Sequence, residues 1–133
     1  MRASPSTGQH RQAPVVRSLS PDECAALLAR NHVGRIAYAF RDRVDIEPVH
    51  YVYDDGWLYG RTSHGAKLAT LRRNPWVAFE VDELHALFDW SSVVVKGSFH
   101  LLDADGPPRE QPVRERAIER LRTLVPATLD VGD

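Results

Sequence analysis

Cysteine is almost missing from this chain: one residue, Cys24, among 133 excludes an internal disulfide framework. It falls on an apolar helix pattern beside Ala25, Ala26, Leu27 and Leu28, which predicts a small buried hydrophobe. An excess of either charge is also missing. Lys and Arg number 17 against 18 Asp and Glu, a net charge of −1, so nothing electrostatic favours a nucleic-acid or anionic membrane partner. No apolar run approaches the length of a membrane span, and Met1 to Val16 has no hydrophobic segment like that of a signal peptide. A cytoplasmic location is the expectation. Six histidines are present, but His10 is in a polar tail, and His32, His50, His64, His85 and His100 show no close paired spacing, so no metal site is expected.

What is present suffices for one core, at 43% hydrophobic content over a single-domain length. Residues 1–17 are rich in Ser, Pro, Gln and Arg without periodicity and read as a flexible tail, leaving 18–133 as one domain. Ser20-Pro21-Asp22-Glu23 is a capping box with proline at the first helical position, and its helix is expected to run to about Arg30. Val33 to Phe40 alternates as a strand, and the charged turn Arg41-Asp42-Arg43 leads to a second strand, Asp45 to Tyr53. Asp54-Asp55-Gly56 is a hairpin signal before a third strand, Trp57 to Thr62. A short helix from about His64 to Arg73 is closed by Asn74-Pro75, since proline disfavours helical geometry in the residue before it. Trp76 to Val81 is the fourth strand. Glu83 to Ser91 reads as irregular, with Glu83, Leu84 and His85 either lining a substrate entrance or simply looping. A fifth strand, Ser92 to Leu102, carries a suspected bulge at Gly97. Val113, Ala117, Ile118, Leu121, Leu124 and Val125 mark the apolar face of a terminal helix. Consecutive antiparallel strands with inserted helices predict a mainly β protein, a small β-barrel with peripheral helices, with an open α+β sandwich as the alternative.

The stretch Tyr59 to Lys67, YGRTSHGAK, concentrates groups that can donate to a phosphate at the start of a helix. Arg61, Thr62 and Ser63 supply a guanidinium and hydroxyls, Gly65 admits close backbone approach, and Lys67 brings a mobile charge. Lysine is scarce here, since only Lys67 and Lys96 occur among the 17 basic residues. On the residues alone, an anion site and an ordinary N-capped surface helix with Ser63 as cap stand as equal readings.

Several motifs in order resemble the pyridoxamine 5'-phosphate oxidase-related, flavin-binding split-barrel family, closest to its nitroimidazole-resistance-like branch. They are His32-Val33-Gly34-Arg35-Ile36-Ala37, Glu47-Pro48-Val49-His50-Tyr51-Val52-Tyr53-Asp54-Asp55-Gly56, Leu58-Tyr59-Gly60-Arg61-Thr62 with Gly65-Ala66-Lys67, Asn74 to Val81, and Trp90 to Gly97. The resemblance covers roughly Leu19 to Asp103. It implies an FMN-binding split barrel, a homodimer with flavin in grooves at the subunit interface. Pro48, Val49, His50 and Tyr51 would run beside the isoalloxazine through their backbone groups. Arg61, Thr62 and Ser63 would lie near the ribityl and phosphate end, with Lys67 paired to the phosphate. Trp90, Ser91 and Ser92 would reach the flavin, from the partner subunit. Vitamin B6 phosphate oxidases have a longer C-terminal segment that helps hold their substrate, so another small organic substrate is expected. Relatives of this fold also bind F420 or haem, which leaves an F420-binding reductase and a non-catalytic flavin module as alternatives to an FMN-dependent oxidoreductase. His50 and Tyr51, with His64 behind them, are the candidate proton carriers.

Overall fold

Five antiparallel strands follow the order β3-β2-β1-β4-β5 in a computed structural model that describes residues 16–61 and 65–124. In chain order the elements are α1 (Pro21–Arg30), β1 (Val33–Phe40), β2 (Arg43–Asp54), β3 (Trp57–Gly60), α2 (Ala66–Arg73), β4 (Trp76–Ala86), β5 (Asp89–Ser98) and α3 (Gln111–Arg122), the last preceded by a 3-10 turn at Pro108–Glu110. The first three strands form the expected meander, and α2 carries the chain across to the free edge of β1. Among the described residues no pairing joins β3 to β5, so the barrel is split. Helix α1 touches both β2 and β5 and lies across that opening.

Local chemistry sets the element ends. The Ser20 hydroxyl accepts from the Glu23 backbone N–H at 3.1 Å while the Glu23 carboxylate accepts from Ser20 N–H, completing the capping box. The β2–β3 hairpin turns through Asp55 and Gly56, both with positive φ (48° and 83°), the geometry for which glycine and aspartate are suited. Asn74 caps α2 through its backbone N–H to Thr70 and ties the helix end to β1 by donating to the Ala39 carbonyl at 2.6 Å.

Sheet alternation separates two faces. Toward α1 point Ile36, Val49, Tyr51, Phe79, Val81, Val93 and Val95, which with Cys24, Leu27 and Leu28 form the core. Cys24 is 1% exposed, as its helix pattern predicts. The opposite, outer face carries Arg35, Ala37, Val44, Ile46, Pro48, His50, Trp76, Ala78, Glu80, Asp82, Leu84 and Trp90, by the strand registers.

Several sequence expectations need correction. Residues 83–91 are not irregular: β4 and β5 extend through them as a hairpin, pairing Glu83 with Ser91 and Leu84 with Trp90. The pattern was hidden because it is inverted, with the charged Glu83 turned toward α1 and the apolar Leu84 71% exposed. The register irregularity lies at Leu84/Ala86, while Gly97 pairs regularly with Val77, and β5 ends at Ser98. β3 and α2 are each shorter than expected, ending at Gly60 and starting at Ala66.

Glu83 locks this hairpin to the end of α1. Its carboxylate accepts from Arg30 Nε and Nη2 at 2.7 and 2.6 Å and from Asn31 Nδ2 at 2.6 Å. The Arg30 hydrogen bonds hold the Glu83 carboxyl down to about 2. A carboxyl lowered on folding stabilises the fold above its unfolded value and loses that contribution as pH falls through the folded one. Urea midpoints should therefore fall between pH 4.5 and about 2. Glu83→Gln should flatten this limb, and an unchanged slope in the variant would assign acid sensitivity to other carboxyls.

Candidate functional site

The long β2 and the short β3 create an open edge. β2 pairs with β1 from Arg43 to His50, but β3 pairs only with Tyr51 to Asp54. Among the described residues, the β2 backbone from 43 to 50 thus has a strand partner on one side only. Its other side offers peptide donors and acceptors that a ligand's polar rim can satisfy.

Two cations border this edge. Arg61 follows Gly60 directly where β3 stops, and its side chain is exposed. Lys67, in the first turn of α2, places its ammonium on the carboxylate of Glu47 on β2. The Lys67 and Glu47 side chains are 20% and 37% exposed, and the Tyr38 hydroxyl also donates to Glu47 at 3.4 Å. Gly65 is the N-cap residue of α2 and makes no side-chain cap; Thr62, Ser63 and His64 lie outside the described residues. The reading of Ser63 as a cap and of Thr62 and Ser63 as ligand donors is thus outside them too.

Alternation divides the expected Pro48 to Tyr51 strip. Pro48 and His50 are exposed on the outer face, whereas Val49 packs against the core and Tyr51 is 1% exposed within it. The Tyr51 hydroxyl donates to the Leu28 carbonyl at 2.7 Å, satisfying the C-terminal end of α1, and burial raises its pKa to about 12 with the Glu83 charge adding to the shift. This position does not match a proton carrier. Tyr51→Phe should cost about 1–2 kcal/mol by leaving a buried carbonyl short of its donor, and should leave any flavin turnover unchanged. Loss of turnover with stability retained would restore the catalytic reading.

Trp90, Ser91 and Ser92 stand on β5, separated from β2 by β1 and β4, or about 14 Å at ordinary strand spacing. Within one chain they do not meet Pro48 and His50. Trp90 is 38% exposed, Ser91 pairs with Glu83, and Ser92 is buried with its hydroxyl donating to Glu80 at 3.0 Å. An ionic cluster invisible to the motif reading lies between the two segments: Arg35 sits 3.5 Å from both Glu80 and Asp82. Burial, then a hydrogen bond with Asp82, pushes the Glu80 carboxyl up, against the Ser92 hydroxyl and Arg35. Sequence signals for these residues existed, since Arg35, Glu80 and Asp82 are charges inside apolar strands and Glu47 is an acid directly before Pro48. Only strand register reveals which of them are neighbours. Among the described residues no group of three or more His, Cys, Asp and Glu is placed to hold a metal ion, and no helix is long and apolar enough to cross a membrane.

Comparison with known proteins places this geometry among relatives. An uncharacterised protein of Rhizobium meliloti (strain 1021) is 33% identical over 89 residues, a match spanning 67% of this chain and 59% of that one, so the chain spans less than two thirds of this relative's length. The crystal structure of a FAD-binding protein from Mesorhizobium loti is similar with a TM-score of 0.74 and 32% identity, covering 87% of this chain and 83% of that one. The structure of the FAD-binding protein from Mycobacterium smegmatis follows at a TM-score of 0.61 and 29% identity, over 74% of this chain and 79% of that one. The family model described as pyridoxamine 5'-phosphate oxidase matches residues 20–128, from the cap of α1 to beyond α3. By that match, and by its split five-stranded barrel, the chain belongs to the pyridoxamine 5'-phosphate oxidase family.

Proposed function

We propose that this chain binds FMN along the open edge of β2 and acts, as a homodimer, as an oxidoreductase on a small organic substrate. The observation that carries the flavin in this reading is the 32% identity with a FAD-binding protein over 87% of the chain, and the choice of FMN rests on the family resemblance. The donor set fits a flavin. The backbone of Pro48, Val49, His50 and Tyr51 would meet the polar rim of the ring system, and Lys67 and Arg61 would hold the phosphate. A bound flavin supplies the electron transfer, so the protein's task is orientation and access. His50, exposed on the outer face beside this edge, would be the side chain that holds or accepts a proton there.

Two features support the second copy. The outer face exposes Val44 at 76%, Ile46 at 68% and Trp76 at 69%, beside a shallow groove of about 430 Å³ that Ala37, Ala78 and Lys96 help to line. Contiguous apolar surface of this kind marks an interaction site. A second copy is also what the family resemblance requires for a Trp90-Ser91-Ser92 segment to approach Pro48 and His50, since the sheet of one chain holds them apart.

FAD is the second reading, favoured because two similar structures are of FAD-binding proteins. The test is purification in the presence of FMN, FAD or F420 separately, removal of unbound cofactor, and measurement of the visible spectrum and the mass of the assembly. A dimer retaining FMN supports the proposal, while preferential retention of FAD or F420 reassigns the cofactor. A monomer retaining none of the three would overturn it. Reoxidation that no substrate accelerates would leave a flavin module without turnover.

A further inference from the structure

We infer that Glu47 is a specificity-determining residue of this site, opposing doubly charged phosphate at Lys67; the inference rests on the proposed reading of Lys67 as the phosphate-holding group. The Lys67 ammonium is in contact with the Glu47 carboxylate, so its charge is already offset before any ligand arrives. The Tyr38 hydroxyl approaches the carboxylate from a second side at 3.4 Å, a long and weak contact, and Tyr38 itself is 8% exposed. The Glu47 backbone is fixed by pairing with Ile36 across β1, whose side chain packs on the core. Glu47 is thus a half-exposed acid on a fixed backbone, and turning it away would cost its contact with Lys67.

A phosphate drawn to this ammonium must share it with a carboxylate a few ångströms off, and the repulsion grows with the phosphate's charge. A monoester such as that of FMN carries close to two negative charges at neutral pH, whereas each phosphate of the FAD diphosphate bridge carries one, and riboflavin has no phosphate at all. Glu47 should thus penalise FMN most, FAD less, and riboflavin least. The charge of this residue then grades flavins by their phosphate, independently of the ring.

The test is fluorescence titration of the full chain with FMN, FAD and riboflavin at low salt, for the wild type, Glu47→Gln, Lys67→Ala and Tyr38→Phe. Glu47→Gln should raise the preference for FMN over riboflavin about fivefold, with a smaller rise for FAD, as expected from removing one like charge near the surface. Tyr38→Phe, which keeps the carboxylate but removes one of its contacts, should raise the preference by less than Glu47→Gln does. An unchanged or reduced preference in Glu47→Gln, while Lys67→Ala still weakens FMN selectively, overturns the inference and leaves the phosphate reading standing. The same rise in Tyr38→Phe would assign the effect to packing and also overturn it. Equal loss of FMN and riboflavin in Lys67→Ala removes the phosphate reading and the inference with it. A variant that folds poorly would lose all three ligands together, which the ratio separates from a charge effect.

Discussion

Gly34→Ala should destabilise the fold by about 3 kcal/mol, toward the upper end of the range for overpacked cores. A β-carbon built on Gly34 would lie 2.5 Å from Cε1 of Phe79 and 3.0 Å from the Glu80 backbone oxygen. Phe79 has little freedom to yield. It is 7% exposed and meets the Tyr51 ring edge-on, with centroids 5.1 Å apart, and Tyr51 is anchored by its hydroxyl to α1. The added methyl therefore presses on β4, β2 and α1 at once. Urea denaturation should show a lower midpoint at unchanged slope, and the double variant Gly34→Ala/Phe79→Leu should recover part of the loss because the two sites share one contact. A Gly34→Ala protein within about 0.5 kcal/mol of the wild type would show that the Phe79 ring has space to move, since surface-like tolerance has that size.

The second large effect concerns Lys67. Lys67→Ala should weaken FMN by about ten- to a hundredfold, the size of a hydrogen bond to a charged group, and riboflavin by less than about twofold. The side chain is 20% exposed, so part of this interaction is shielded from solvent. Isothermal titration at two salt concentrations checks it: the FMN loss should shrink only slightly as salt rises, because screening acts strongly on exposed charges and weakly on a partly buried one. Equal losses for the two ligands would mean that Lys67 serves the structure through Glu47 alone.

Elements whose signals are local could be read from the sequence, and those set by distant partners could not. The capping box at Ser20 and Glu23, the Asp55-Gly56 turn and the Asn74-Pro75 stop each depend on neighbours a few residues away, and each stands where it was expected. The β4–β5 hairpin depends instead on Glu83 reaching Arg30 and Asn31, more than 50 residues earlier, which turns a charged residue inward and defeats alternation as a guide. Lys67 stood out by its scarcity and its helix start, yet its partner Glu47 emerged only once β2 and α2 were placed together. His50 and Tyr51 adjoin in the sequence, and both are residue types that can donate a proton or a hydrogen bond. One step along a strand reverses the face, and that step separates an exposed histidine from a buried tyrosine.

The solitary thiol gives this molecule an internal clock. Cys24 is 1% exposed in the cluster that joins α1 to β2, β4 and β5, and the chain holds no other sulfhydryl. A thiol-specific reagent can therefore label the native protein only in moments when α1 lifts off the split in the barrel. If that helix opens on its own, labelling will outpace global unfolding, and if the split stays sealed until the whole domain melts, the two rates will coincide. One mass measurement per time point, on unaltered protein, would then time how often the barrel comes open along its seam.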